Sequence, residues 1–341
     1  ESFGGKSWQK ERGALVDELK HRLKMDWPQI TSVAQARLVA GLTTVADWIG
    51  SGPHFENPEL PWQDKIEKAL DEAGFTPATY KTSLSFEQVF GFSARLAQQQ
   101  LIDAVSDPGV YILEAPMGLG KTEAALYAAY QMLHAGKAAG IYFALPTQLT
   151  SNKIYQRFNA FLERVLATDC QHRSLLLHGK SWLQQIEMGE EGSPGGAWFN
   201  HAKRGLLAPF AVGTIDQALM AAMNVKHGFV RAFGLAGKIV ILDEVHTYDA
   251  YTGTLLDALV ELLRSLHCTV IILSATLNQE RRRNLLKTEL HSTDYPLITA
   301  VHKDQSVKEL AVAPVPDTQV AILLLHADAP AVEEALERAS M

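Results

Sequence analysis

A glycine-rich stretch, Ala115-Pro-Met-Gly-Leu-Gly-Lys-Thr122, carries the residue types that hold phosphates. Gly118 and Gly120 let the backbone turn its N–H groups toward an anion without a side chain in the way. A helix that starts near Lys121 adds the positive end of its dipole. Lys121 would then reach the β- and γ-phosphates, and the Thr122 hydroxyl would take a position on Mg²⁺. We therefore predict a nucleotide site, with a structural turn before an amphipathic helix as the alternative.

Two acidic residues, Asp243 and Glu244, directly follow a short apolar run. Adjacent carboxylates at a strand end point in opposite directions. Asp243 can therefore hold Mg²⁺ through water while Glu244 orients and deprotonates an attacking water. His246 completes the pattern Asp-Glu-x-His. The alternatives are an acidic turn and a loop histidine, and the phosphate loop in the same chain favours hydrolytic chemistry.

Two further junctions between a predicted strand and helix carry hydroxyl and amide side chains. Such helix starts hold phosphate oxygens of a nucleic acid without reading bases. Ordinary N-capping is the alternative interpretation, and the two roles can coexist. The residues predicted for strand contact are Pro146, Thr147, Asn152, Gly213, Thr214, Asp216 and Gln217.

A third junction, Ser274-Ala275-Thr276, also follows an apolar run. Ser274 and Thr276 have small hydroxyl groups that can exchange hydrogen bonds as a switch. By itself this triplet is a weak signal.

Short apolar runs alternate with helical patterns from residue 93 onward, which predicts a doubly wound parallel α/β sheet with helices on both faces. In such a sheet, ligands bind at the carboxyl ends of the strands, where all these motifs fall. The predicted strands are 110–113, 140–144, 174–177, 210–213, 239–242 and 270–273, and the predicted helices between them are 122–135, 150–166, 215–222 and 252–265. The preceding residues 1–55 are predicted to be helical, followed by a linker and helices over 56–92.

Composition limits the class of protein. The chain has 341 residues, 47% of them hydrophobic and 20% charged, with a formal net charge of −7, so any nucleic-acid contact must be local. Its two cysteines, Cys170 and Cys268, form neither a disulfide framework nor a four-ligand metal site, which is typical of a reducing cytoplasm. No run is long enough to span a membrane. The start at Glu1 shows no signal peptide, and a first residue other than Met suggests a fragment.

The ordered motifs together resemble the first RecA-like domain of a superfamily-two DExH helicase; Ala115 in place of Gly is the helicase form of the phosphate loop. The longer sequence segments 213–219, 225–235 and 243–251 resemble the CRISPR-associated helicase and nuclease of type I systems. Their sequences favour subtype E. The resemblance covers most of residues 30–300. It assigns ATP with Mg²⁺ to the loop and its neighbours, namely Gln98, Gly118, Leu119, Gly120, Lys121, Thr122, Glu123 and Asp243. Gln98 matches the family's adenine-reading glutamine, although Gln99 and Gln100 leave its register open.

The resemblance implies an enzyme that Cascade, the guide-RNA surveillance complex, recruits to cut and translocate along the displaced single DNA strand. It implies that Asp47, and Ser51 nearby, belong to the divalent-metal site of a histidine-aspartate (HD) nuclease domain. In this chain no His-Asp dipeptide occurs, so Asp47 alone cannot hold that metal. Nothing after Thr276 resembles a second RecA-like domain, and 301–341 is expected to be only the approach to it. The isolated chain is therefore expected to hydrolyse ATP poorly.

Two alternatives remain open from the sequence. One is a DExH helicase that acts on RNA, and the other is a nucleotide-dependent docking module. The basic residues at 203–204 and 281–283 could contact a strand or simply be solvated charges.

Overall fold

The computed structural model describes residues 5–27, 29–57, 61–168, 170, 174–177, 199, 204–223, 225–245 and 250–312. Its centre is an eight-stranded sheet with the order β3-β4-β2-β5-β6-β1-β7-β8. The first six strands pair in parallel, and β7 and β8 are antiparallel additions at one edge. The strands are β1 Gly109–Glu114, β2 Ile141–Leu145, β3 Leu175–Leu177, β4 Phe210–Thr214, β5 Ile239–Leu242, β6 Thr269–Ser274, β7 Leu297–His302 and β8 Val307–Ala311.

The described helices lie before and between these strands. They are α1 Gly5–Leu23, α2 Val33–Gly50, α3 Ile66–Glu72, α4 Phe86–Phe90, α5 Leu96–Ala104, α6 Lys121–His134, α7 Gln148–Val165, α8 Ile215–Ala222, α9 Gly228–Leu235, α10 Ala250–Ser265 and α11 Gln279–Leu286. No helix among these described segments is both long and apolar enough to cross a membrane.

Apolar residues cover both faces of the sheet. In β1, Tyr111 and Leu113 face the core shared with α6 and α7, while Val110 and Ile112 face the core shared with α8 and α10. All six residues of β1 are buried, as expected for a parallel strand between two helical layers. The predicted α/β class, a RecA-like sheet with a preceding helical segment, is confirmed.

The sheet extends beyond the predicted domain end at residue 300. The β7–β8 hairpin continues it through Ala311. Neither β7 nor β8 was predicted. The β8 strand has no preceding helix, and its residues are exposed or half-buried, so the strand–helix alternation used to find the six parallel strands gives no signal for it. Helices α9 and α11 were also not predicted.

The N-terminal helices contact the sheet unequally. Helix α2 packs on α9 so closely that a Cβ added to Gly41 would lie 2.3 Å from the Cβ of Phe233. Arg37 of α2 also donates from Nη1 to the carbonyl oxygen of Ala221 in α8, at 2.9 Å. Helix α1, in contrast, contains no buried residue.

Candidate nucleotide and strand-binding site

The loop between β1 and α6 has the backbone that the sequence predicts. Gly118 and Gly120 both have φ +78°, in the left-handed region that glycine favours. A Cβ on Gly120 would lie 2.3 Å from Nε2 of Gln98, so close packing also requires glycine there. Helix α6 begins directly after this residue, at Lys121, which directs its first N–H groups toward the loop.

Lys121 lies where β1 and β6 end side by side. Its Nζ donates to the carbonyl oxygens of Ala115, at 2.5 Å, and of Ser274, at 3.2 Å. Burial lowers the pKa of Lys121, and the negative charges of Asp243 and Glu244 partly oppose that shift. One ammonium group therefore lies near both predicted catalytic carboxylates.

The acidic pair lies at the carboxyl end of β5. Asp243 donates its backbone N–H to the carbonyl oxygen of Ala144 at 3.0 Å, which fixes the pair against β2. Its Oδ1 accepts the backbone N–H of Glu244 at 2.9 Å. Burial raises the pKa of Asp243 to about 6, and the neighbouring Glu244 charge contributes to the increase.

The backbone of Glu244 has φ +55°. This left-handed conformation costs a non-glycine residue of order 1–3 kcal/mol. It turns the chain sharply after Asp243, so the two adjacent residues do not continue in strand geometry. The third residue of the pattern, His246, lies outside the described residues.

Of the three consecutive glutamines, Gln98 contacts the phosphate loop. Its side chain is 1% exposed, and Nε2 donates to the carbonyl oxygen of Gly120 at 2.9 Å. Its Oε1 accepts the N–H of Arg95 at 2.9 Å, and Arg95 itself donates to the carbonyl oxygen of Gly118 at 3.1 Å. The Gln99 and Gln100 side chains bond elsewhere, to Asp103 and Ala311. The structure thus uses Gln98 to hold the loop.

The other loop residues have different surroundings. Leu119 is buried in the core beside α6, and Thr122 is half-buried in the first turn of that helix. Glu123 forms an ion pair with Arg157 of α7 and thereby joins the two helices. Arg157 also lies near enough to Asp243 to lower its pKa, which opposes the effect of burial. No motif in the sequence pointed to Arg157.

The residues predicted for strand contact lie at the carboxyl ends of the adjacent strands β2 and β4. Thr147 is the N-cap of α7, and its hydroxyl oxygen accepts the N–H of Thr150 at 3.3 Å. Thr214 precedes α8 and makes no such side-chain cap. Among the remaining candidates, Asn152 and Asp216 are exposed, and Pro146 and Gln217 are half-buried.

Gly213 differs from the other strand-contact candidates. It is buried within β4, where an added Cβ would lie 2.4 Å from the carbonyl oxygen of Leu177 and 2.8 Å from the hydroxyl of Tyr142. The glycine is therefore required for close approach of β3 to β4. Its contribution to the junction is to place Thr214 and α8.

The Ser274–Thr276 turn lies beside the phosphate loop. The Ser274 Oγ donates to the backbone oxygen of Thr276 at 3.1 Å, which links the two residues across the turn. The carbonyl oxygen of Ser274 accepts both Lys121 Nζ and the N–H of Ala115, the latter at 3.1 Å. The turn is thus bonded directly to the nucleotide-site loop.

Asp47 and Ser51 are exposed near the end of α2, away from the sheet. The only bond between them that the structure describes is the backbone one from the N–H of Ser51 to the oxygen of Asp47, at 2.8 Å. Within the described ranges, no group of three or more His, Cys, Asp or Glu side chains could hold a metal ion. The described residues therefore do not by themselves form a nuclease metal site.

Comparison with known proteins gives concordant results. The family model described as DEAD/DEAH box helicase matches residues 95–284. The CRISPR-associated endonuclease/helicase Cas3 of Thermus thermophilus is 35% identical over 94% of this chain and 39% of its own length. The CRISPR-associated nuclease/helicase Cas3 of Streptococcus thermophilus is 36% identical over 76% of this chain and 31% of its own length. This chain thus spans two-fifths or less of these relatives.

Solved structures show the same similarity. The crystal structure of T. fusca Cas3-AMPPNP superposes with a TM-score of 0.80 at 30% identity, over 93% of this chain and 40% of that one. A chain of a CRISPR RNA-guided surveillance complex, pre-nicking, superposes with a TM-score of 0.63 at 30% identity, over 92% of this chain and 37% of that one.

Proposed function

The chain belongs to the DEAD/DEAH box helicase family and is homologous to Cas3 helicase/nucleases, and from this premise we propose that it is the first motor domain of an ATP-driven single-stranded DNA translocase. The translocase would be coupled to a nuclease in type I CRISPR interference. One observation carries the proposal: the phosphate loop, the Asp243–Glu244 pair and the Ser274–Thr276 turn meet at the carboxyl ends of the adjacent strands β1, β5 and β6.

The residues present fit a magnesium nucleotide. The glycine loop, which has no room for a Cβ at Gly120, leads into the start of α6. A half-buried ammonium group and two carboxylates converge there. Lys121 and the loop N–H groups would hold the phosphates, and Thr122 and Asp243 would hold Mg²⁺. Bound Mg²⁺ would neutralise phosphate charge.

Glu244 is proposed to be the catalytic base. Adjacent to the Mg²⁺-holding carboxylate, it is placed to orient a water molecule and accept its proton. The Ser274 oxygen, which contacts Lys121, would keep the ammonium directed along the loop. His246, which follows in the same motif, is proposed to link the nucleotide state to strand binding.

The strand is proposed to cross the neighbouring part of the same sheet edge. Strand β2 lies next to β5, and β4 lies next to β2, so the starts of α7 and α8 lie along the same sheet edge as the nucleotide site. Thr147, Asn152, Thr214 and Gln217 would donate hydrogen bonds to backbone phosphates there without reading bases. Asp216, which only accepts hydrogen bonds, would lie beside the strand without holding a phosphate. Sequence-independent contact of this kind suits a motor that moves along DNA.

The experiment that tests this proposal measures binding of a fluorescent single-stranded DNA by anisotropy, with Asn152→Ala and Gln217→Ala beside the control Gln131→Ala on the exposed side of α6. We expect the two test variants to bind the DNA severalfold more weakly and the control to bind like wild type. An unchanged affinity in both test variants would refute strand contact at these helices. Preferential binding of an RNA of the same sequence would support an RNA helicase instead.

Recruitment by Cascade and a divalent transition metal at an HD site are proposed from the homologues. Asp47 would supply one ligand, with Ser51 nearby, and the other ligands must come from outside the described residues. In a protein that carries this chain together with a nuclease domain, Asp47→Ala should abolish metal-dependent DNA cleavage and leave ATP binding intact. The exposed Asp64→Ala is the control. Cleavage that survives Asp47→Ala would remove this residue from the nuclease site.

A further inference from the structure

A buried ion pair lies directly behind the phosphate loop. Glu114, the last residue of β1, has its Oε2 2.8 Å from Nε of Arg282 in α11, and both side chains are about 5% exposed, at 6% and 4%. Arg282 also donates from Nη2 to the carbonyl oxygen of Ser292 at 2.9 Å. Burial raises the pKa of Glu114, and the arginine opposes that shift. Burying two charges is expensive, so a pair retained here calls for an explanation beyond stability.

The second oxygen of Glu114 supports the neighbouring turn. Oε1 accepts the backbone N–H of Leu277, at 2.8 Å, directly after Ser274–Thr276. The same turn is held from its other side by Tyr295, whose hydroxyl donates to the carbonyl oxygen of Ala275 at 2.9 Å. Glu114 is therefore bonded to the turn by its side chain and is covalently linked to the phosphate loop through Ala115.

We infer that Glu114 is a positioning residue for nucleotide binding, which fixes the Ser274–Thr276 turn in register with the phosphate loop. The turn then presents the Ser274 oxygen to Lys121 Nζ and to the N–H of Ala115. The positive charge of Arg282, 2.8 Å from Oε2, stabilises the buried Glu114 carboxylate that accepts from Leu277. This inference rests on the proposed nucleotide site and adds a residue that contacts neither the phosphates nor the strand.

The geometry explains why the acceptor oxygen of Glu114 matters more than its negative charge. The hydrogen bond from the Leu277 N–H is part-buried, so losing its acceptor costs a large part of the desolvation of that donor. Without Glu114, the Leu277 N–H would find another acceptor only if the turn moved. Any such movement shifts the Ser274 oxygen, and the Lys121 ammonium loses one of its described partners.

Two double variants separate this role from general stability. Arg282 also pairs with Glu309 of β8, whose Oε1 lies 3.5 Å from Nη1 of Arg282. Glu114→Gln/Arg282→Met and Glu114→Leu/Arg282→Met both remove the buried ion pair and both leave Glu309 without its arginine. They differ in that glutamine still offers an oxygen to Leu277, whereas leucine does not. Both variants are expected to fold, because replacing the Glu114–Arg282 pair with uncharged groups is often tolerated and Glu309 still accepts the backbone N–H groups of His291 and Ser292.

Calorimetric titration of each with a magnesium complex of a slowly hydrolysed ATP analogue is the measurement. The Gln/Met variant should bind about tenfold more tightly than the Leu/Met variant, the range expected when a buried donor keeps or loses its acceptor. Equal dissociation constants, whether near wild type or both weakened, would overturn the inference. Thermal unfolding of both variants shows that the comparison is made between folded proteins.

Tyr295→Phe is a milder variant that removes the other support of the turn. The Tyr295 side chain is 52% exposed, so its loss should leave the fold intact. We expect about threefold weaker binding of the same nucleotide analogue, corresponding to one lost hydrogen bond. Unchanged affinity would count against positioning by the turn. Failure of wild type to bind any nucleotide would instead refute the proposed function itself.

Discussion

The carboxyl end of the central sheet and the N-terminal helices both carry residues assigned to metal-dependent chemistry, but those residues are partly buried in the first region and exposed in the second. At the sheet end, Lys121 and Asp243 are partly buried, and burial shifts both pKa values toward neutrality. Asp47 is exposed on α2. Groups whose pKa values are shifted by burial are candidates for a functional site when they lie together at a strand end, as Lys121 and Asp243 do. The comparison sets a proposed nucleotide site, whose charged residues this chain brings together, beside one isolated candidate ligand.

The sharpest way to test this contrast is Glu244→Gln, with Glu280→Gln on the exposed start of α11 as control. In a protein that also carries the second motor domain, strand-stimulated ATP hydrolysis should fall about 10²- to 10⁴-fold, because the base is lost. Nucleotide binding should persist, because the phosphates are held by the loop and Lys121. Hydrolysis at the wild-type rate would exclude Glu244 as the base.

Asp243→Asn tests the enclosed charge itself. The pKa of Asp243 in the folded state, about 6, is higher than the ordinary value of 3.8. Protonation of Asp243 therefore favours the folded state as pH falls through this window. Above the window, the ionised carboxylate opposes folding. The neutral asparagine should raise the free energy of unfolding at alkaline pH by roughly 1–3 kcal/mol. It should also weaken magnesium-dependent nucleotide binding.

The assignment of Asp243 also predicts how nucleotide binding depends on pH. In wild type, magnesium-dependent nucleotide binding should weaken as pH falls through about 6, where Asp243 gains its proton. Denaturant unfolding and nucleotide titration across this range provide the check. A variant less stable than wild type at alkaline pH, with unaltered nucleotide affinity, would contradict both assignments.

Alanine substitutions at one glycine of α2 and one glycine of α1 test whether the two helices pack differently on the rest of the protein. Gly41→Ala places a methyl group 2.3 Å from the Cβ of Phe233 and should destabilise the α2–α9 contact by about 1–3 kcal/mol. Gly13→Ala in α1 meets nothing within 4 Å and should stabilise its helix by about 0.5–1 kcal/mol. Denaturant unfolding monitored by circular dichroism measures both. Equal effects would mean that the two helices are packed alike.

Much of the sheet could be predicted because each parallel strand is a short apolar run followed by a helix. The same logic placed the phosphate loop, Asp243 and Ser274 at one edge, since the carboxyl ends of parallel strands share that edge. The predicted fold class and the family resemblance were both confirmed.

The contacts that sequence reasoning missed join residues far apart in the chain. Glu114 and Arg282 are separated by 168 positions (282 − 114). The sequence predicted Arg282 as a strand contact or a solvated charge, whereas the structure buries it against Glu114. Helix α9 was missed because glycines weaken a helix signal. In the structure, an added Cβ on Gly234 would lie 2.6 Å from the oxygen of Leu206, so packing selected the residue that obscured the helix.

The most direct test of the central claim is calorimetric titration of the 341-residue chain with the magnesium complex of a slowly hydrolysed ATP analogue, for wild type and Lys121→Ala. The exposed Lys153→Ala on α7 is the matched control. We predict that wild type and the control bind one nucleotide per chain with the same affinity and that Lys121→Ala shows no measurable binding. Equal affinity of wild type and Lys121→Ala would contradict the assignment of this loop as the nucleotide site.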